Sequence, residues 1–368
     1  MRRVGIVLLL ALLLTVGAAA AEPEEDLNRE LAEAVGADTL ESGLTEEQRE
    51  LIGETTPTES GGFFHTVQEL IARAILQSGG AWREAAGCAA MLLAICLVCG
   101  LCGTGEQNPP VRAVGIAGAI GIAAVCTTHV GSLFRLGSET VQNLSVYAQL
   151  LLPVLAASSA AAGSVTGAPA IYSITVLFSD LLLRFVTVGL IPLLYAFLAM
   201  ALADCVLGGA TLKRFRELLA WVISTGLKTV LYVYTAFLAI TQVISGAADA
   251  MTTRAAKLTL SSAVPVVGGI IADAAETVLV SASMLRNSVG IFGLLAVLAV
   301  CILPFLKIAA YWLVLRLTAA VSGAIAQEAL VSMIDAVAQA MGLLLAMTGA
   351  CALLLLISTV CSMKVVGL

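Results

Sequence analysis

Charge is scarce in this chain. Asp, Glu, Lys and Arg together make up 12% of its 368 residues, about half of what a soluble domain carries. Combined with 60% hydrophobic residues and a mean hydropathy of +1.00, that excludes an ordinary water-soluble globule and requires a membrane protein. Histidine is nearly absent. His65 and His129 are too few and too far apart to build a catalytic centre. There is no basic face of the kind that holds nucleic acid. The phosphate-loop, nucleophile-elbow, H-E-x-x-H and dinucleotide fingerprints are all missing, and Gly226-Leu227-Lys228-Thr229 lacks the preceding glycine of a phosphate loop. Asp180 and Asp273 are the nearest acids to an intramembrane catalytic pair, and neither sits in such a motif. The expected reading is a protein that is not an enzyme, has no cofactor, and draws any energy from a partner or an ion gradient.

Nine cysteines, an odd number, lie in or beside apolar runs, so no secreted disulfide framework is visible. Cys96, Cys99 and Cys102 fall on one helical stripe, where cysteine packs as a small apolar residue. A metal site would need further ligands nearby, and none is obvious.

What is present divides the chain. Residues 1–21 read as a signal peptide, with Arg2 and Arg3 before an apolar core and an alanine-rich cleavage region; an uncleaved anchor is the alternative. Residues 22–62 form an acidic arm, with thirteen acids against Arg29 and Arg49 between Glu22 and Ser60. Such a segment is expected outside the cytoplasm and largely disordered, although it holds weak helical patterns around Leu27 to Val35 and Leu44 to Ile52, and Thr45 to Gln48 has capping-box spacing. Residues 63–84 are expected to form an amphipathic helix lying on the membrane surface, with Phe64, Val67, Ile71, Ala74 and Ile75 on its apolar side. Residues 85–368 read as an all-α polytopic membrane domain with about six to eight transmembrane or re-entrant helices.

Within that domain, spans are expected near 85–102 and 111–131, the latter with Ala117 and Gly121 at close-contact spacing. An apolar run at 144–163 holds Pro153. The run 171–207 is long for one pass and holds Pro192. It carries Asp180 and Arg184, which are spaced for an intramembrane ion pair. The basic segment with Lys213, Arg214 and Arg216 belongs in the cytoplasm. Counting every apolar run as one pass leaves it outside, so either 171–207 crosses twice or 144–163 is re-entrant. Residues 324–340 carry a polar stripe of Glu328, Ser332, Asp335 and Gln339, which suggests a surface-lying helix.

The stretch Ser261 to Gly290 concentrates the candidate functional residues. Pro265, Gly268 and Gly269 break an apolar run that then carries Asp273 and Glu276, with Arg254 before it and Arg286 after it. Ionisable groups at membrane depth face protein or water, and broken helices build binding sites in transporters. The alternative is an extramembrane helix whose acids favour its dipole.

The runs Val264-Pro265-Val266-Val267-Gly268-Gly269, Ala272-Asp273-Ala274-Ala275-Glu276-Thr277-Val278 and Ser283-Met284-Leu285-Arg286-Asn287-Ser288-Val289-Gly290 resemble the stage III sporulation protein AE family. So do Thr253 to Lys257, Leu152 to Leu155 and Ile302 to Ile308. The likeness covers the layout from Phe63 to Leu368. It implies a multi-pass subunit in the mother-cell membrane around the forespore. It also implies partners: other stage III sporulation proteins of the same operon, including an ATPase and ring-forming subunits, and a forespore membrane protein. Together these would form a channel or secretion-like complex. A membrane scaffold and an independent secondary transporter are the alternatives.

Overall fold

The computed structural model describes residues 30–53, 63–102, 109–162, 168–207, 210–263 and 268–364, all helix apart from short turns. In hydrocarbon, a helix is the only open-chain structure that satisfies every backbone group within its own segment. A helical stretch at 30–35 comes first, followed by two short helices, α1 (Asp38–Ser42) and α2 (Glu46–Ile52). Then come α3 (Phe63–Gln77), α4 (Gly79–Cys102) and α5 (Pro109–Ala161). A rod follows, formed by α6 (Ala168–Arg184), a π-helical turn (Phe185–Leu190) and α7 (Ile191–Leu207). The chain ends with α8 (Ala210–Ala263), α9 (Gly268–Ser322) and α10 (Glu328–Lys364).

Among the described residues, six segments are long and apolar enough to cross a membrane: Gly79–Cys102, Ala113–Ala161, Leu177–Ala203, Leu212–Thr241, Val280–Ser322 and Glu328–Val360. The chain is therefore an all-α, multi-pass membrane protein, at the lower end of the expected six to eight.

Contacts between side chains set the packing. Phe134 packs at a tilt against Tyr195, and Gln149 donates to Asp180, so α5 runs antiparallel to the α6–α7 rod. Leu151 lies over Gly293, and His129 lies near Tyr311, so α5 is also antiparallel to α9. Phe305 meets Gly349, Trp312 meets Gly342 and Arg316 pairs with Asp335, which makes α9 and α10 an antiparallel hairpin. α5, α9 and α10 form the centre, with Leu144, Leu151, Val289, Leu295, Val337 and Met341 fully buried.

Glycine brings these helices close. A side chain at Gly100 would strike the Ile325 carbonyl, and one at Gly293 would meet Leu151 Cδ1 at 2.6 Å. Between α4 and α5 the close face is Gly118 against Cys99 and Gly121 against Ile95, while Gly115 faces the Gln327 side chain. Ala117, expected on that face, is exposed.

Four expectations change. Residues 111–131 and 144–163 are not two passes but parts of one helix that continues through Pro153. Residues 171–207 are not divided at Pro192. The proline falls at the start of α7, just after the π turn, whose wider hydrogen bonding accommodates the missing donor and the ring. The stripe of Glu328 to Gln339 is not a separate surface helix, because it is continuous with the last span and Asp335 pairs with Arg316. Residues 30–52, expected within a disordered arm, are folded. Leu40, Leu44, Leu51 and Ile52 turn inward while Glu41, Glu46, Glu47 and Glu50 stay in solvent. Gly43 fits against Tyr147 and Leu150 of α5, and α2 rests on α9. Thr45 N–H donates to Gln48 Oε1 at 3.0 Å, closing the capping box. In α3, Leu70 and Ala74 are buried and Arg73 donates to the Glu50 carbonyl at 3.0 Å, whereas Ile71, Ile75 and Leu76 are exposed.

These close approaches predict sharp substitution effects. Gly100→Val and Gly293→Leu should each destabilise the bundle by about 1–3 kcal/mol through overpacking, read as a lower unfolding temperature of the purified protein in detergent. Gly131→Ala, with nothing within 4 Å of the added atom, should leave stability unchanged or raise it.

Candidate functional site

The sequence pointed to the junction of α8 and α9. Pro265 lies outside the described residues. Arg254 is on the backbone of α8, and Gly268, Gly269, Asp273 and Glu276 are on that of α9; their side chains also lie outside the description. The helix limits are informative by themselves. α8 ends at Ala263 and α9 begins at Gly268, so the Pro/Gly run separates two helices of 54 and 55 residues. Because Gly293 lies opposite Leu151 and α5 ends at Ala161, the first turns of α9 run past the end of α5.

Arg286 is the largest fully buried side chain, at 2% exposure, and it is engaged within the fold. It stands two turns beyond Gly293, at the level where α5 carries the buried Ser158 and Ser159. Ser281 and Ser288 of α9 are buried close by in sequence. Several of these hydroxyls bond back to their own helices: Ser158 and Ser159 donate to the Leu155 carbonyl at 3.0 and 2.7 Å, and Ser288 to that of Met284 at 3.1 Å. Such back-bonding satisfies a hydroxyl without a partner helix. The layer is packed, and its one permanent charge is deep inside the bundle near the end that leads to Asp273 and Glu276.

Asp180 and Arg184 form the ion pair that their spacing suggested. Arg184 Nε donates to Asp180 Oδ2 at 2.7 Å, and Gln149 Nε2 of α5 donates to Oδ1 at 3.1 Å. Ser145, Gln149, Ser179 and Asp180 line a shallow crease between α5 and α6. One residue behind the carboxylate, Ser179 and Tyr234 share a buried hydrogen bond at 3.0 Å, which ties α6 to α8. Gln149, Ser179 and Tyr234 were not singled out in the sequence. A polar amide in the apolar run before Pro153 was the one available signal.

The other charges sit apart from these groups. Glu84 of α4 and Lys307 of α9 pair at 3.3 Å, and Arg135 and Glu139 pair along α5 at 2.9 Å. Cys96 and Cys99 are buried, Cys99 against Gly118, while Cys102 is exposed. Among the described residues, no group of three or more His, Cys, Asp or Glu is placed to hold a metal ion.

Comparison with known proteins adds the family. No solved structure matches. The stage III sporulation protein AE of Bacillus subtilis (strain 168) is 24% identical over 204 residues, covering 54% of this chain and 50% of the relative. The chain thus matches half the length of that relative. The family model for stage III sporulation protein AE matches residues 90–365, from the middle of α4 to the last turn of α10 and beyond. On that match, which covers well over half of the chain, the chain belongs to the stage III sporulation protein AE family.

Proposed function

We propose that this chain is a membrane subunit of a sporulation-specific transenvelope channel or secretion-like complex between mother cell and forespore, needed for late forespore development. The observation that carries this reading is helix length. α5, α8 and α9 have 53, 54 and 55 residues, about 80 Å each, against about 30 Å of hydrocarbon. A protein confined to one bilayer has no need of that reach. One built to meet partners across the space between two membranes does. The family resemblance supplies the partners in this reading: an ATPase on the mother-cell side, ring-forming subunits, and a forespore membrane protein on the far side.

The fold also removes the orientation conflict. Three membrane-length elements, α4, α5 and the α6–α7 rod, separate the acidic arm from Lys213, Arg214 and Arg216. With the arm outside, the basic segment falls in the mother-cell cytoplasm, as the positive-inside rule asks. One element further on, the junction of α8 and α9 returns to the arm's side. Asp273 and Glu276 then belong to the end of the bundle that faces the forespore, where carboxylates can meet water or a partner at little cost. Arg286 holds that end of α9 in the bundle.

Two experiments test this reading. Single cysteines replacing Ser42 and Glu217, both exposed, on a cysteine-free background, are expected to react with an impermeant thiol reagent from opposite sides of the membrane. Labelling from the same side would overturn the three-pass order. The double substitution Asp273→Asn with Glu276→Gln is expected to abolish late forespore gene expression while membrane level and co-purification with partners stay normal. If expression instead follows protein level alone, the charges are structural and the scaffold reading replaces the channel.

A further inference from the structure

One exposed face of α5 is polar where its neighbours are apolar. Thr128, Ser132, Arg135, Glu139, Gln142 and Asn143 are all exposed, and at about 100° per residue they share one sector of roughly 100°. No apolar side chain of α5 is exposed between Thr127 and Asn143. Ile116 and Ile120 before this stripe and Val146 after it are exposed and apolar. The stripe is a polar window between them, about 22 Å long.

Contacts fix its level in the bundle. Phe134 lies against Tyr195, with ring centres 5.1 Å apart. Leu190 lies over Gly226 and Ser179 bonds Tyr234, so α8 is antiparallel to the rod and Trp221 comes level with Tyr195. At this level the rod and α8 expose Val188, Tyr195, Leu218 and Trp221, at 76, 44, 52 and 62%. Large side chains so exposed on two neighbouring helices mark hydrocarbon or its edge rather than water. The stripe is too long for a headgroup zone, which is about 5–8 Å deep on each side. Polar and ionised groups at membrane depth face protein or water.

Here water suits them better than a partner helix. Thr128 and Ser132 donate to carbonyls of their own helix, those of Ala124 and His129, at 2.9 and 2.8 Å, and such hydroxyls need no second helix. Arg135 and Glu139 neutralise each other along α5 while their side chains stay 81 and 53% exposed. A helix packed on this face would meet no apolar ridge and would strip water from an ion pair, which is unfavourable.

We propose that this stripe of α5 lines a water-filled passage, open to small hydrated ions and polar solutes, that enters the bilayer beside the bundle. Because its two charges offset each other, this wall does not select by sign. The stripe is on the outside of the chain, so the opposite wall comes from a second protein of the complex, and to that extent the inference rests on the channel reading proposed above.

The test uses the full chain in its native membrane with its partners present. Thr128→Cys, Ser132→Cys and Asn143→Cys probe the stripe, and Val188→Cys and Trp221→Cys the same level elsewhere, each on a cysteine-free background. A small charged methanethiosulfonate attacks the thiolate, which water stabilises and hydrocarbon does not, so the stripe positions are expected to react about ten-fold or more faster than the two controls. Equal rates at all five would overturn the proposal. If all are fast, the level lies outside the membrane; if all are slow, lipid or protein covers the stripe. Because removal of the native cysteines can impair folding, a photo-reactive amino acid at Ser132 or at Trp221 in the otherwise unaltered chain provides a second reading. Position 221 should yield lipid adducts and position 132 should not; lipid adducts at both, or at neither, would sink the idea. These readouts report hydration and not transport, so their outcome is separate from that of the gene-expression test, which decides the channel reading.

Discussion

Inside a bilayer no water is available to backbone N–H and C=O groups, so each membrane-crossing segment must satisfy its own. That requirement explains the most visible property of this chain, that its helices do not stop where hydropathy or proline suggests they should. Pro153 sits inside α5 and Pro304 inside α9 without ending either helix. Pro192 follows a π turn rather than a loop. Each interruption is absorbed locally, since a loop at such depth would leave several polar groups without partners. The result is a few very long rods in place of many short spans.

Long rods in lipid cannot rely on the hydrophobic effect to hold them together, because lipid tails are as apolar as leucine side chains. Close contact replaces it. Gly118, Gly137 and Gly293 each admit a neighbouring helix, and Gly100 the turn at Ile325, to a distance that any side chain would prevent. A small number of polar ties then fix register where the apolar surface alone allows sliding. Glu84–Lys307 joins α4 to α9, Arg316–Asp335 joins α9 to α10, and Ser179–Tyr234 joins α6 to α8. Packing by glycine gives proximity, and the polar ties give depth.

Much of this was legible in the sequence, and the illegible part has identifiable causes. The all-helical, multi-pass nature follows from composition, and the Asp180–Arg184 pair follows from an i,i+4 spacing that needs no tertiary information. The number of passes did not follow, because hydropathy reports where a segment could cross and not whether two apolar runs share one continuous helix. The arm was misjudged for a related reason. Seven acids between Glu30 and Glu50 dominate its composition, but they point outward, and Leu40, Leu44 and Leu51 find their apolar surface on helices more than a hundred residues away. Gln149 escaped notice because its value depends on which residue of α6 lies opposite. The stretch from Ser261 to Gly290 was recognised as distinctive, but its depth was not readable, since a Pro/Gly break looks the same inside a membrane and at the tip of a hairpin.

The contact of the arm with the bundle has a consequence for the order of assembly. Gly43 rests on Tyr147 and Leu150, and α2 rests on α9, which is among the last elements to leave the ribosome. At about 5–20 residues per second, the arm emerges well before its full docking surface exists. It must wait, exposed and acidic, until α9 has been inserted and packed. Completion of the arm is therefore the final event of folding rather than the first. An arm seated on α5 and α9 marks a chain threaded correctly as far as α9, and a copy truncated or mis-threaded before α9 leaves that segment open to proteases.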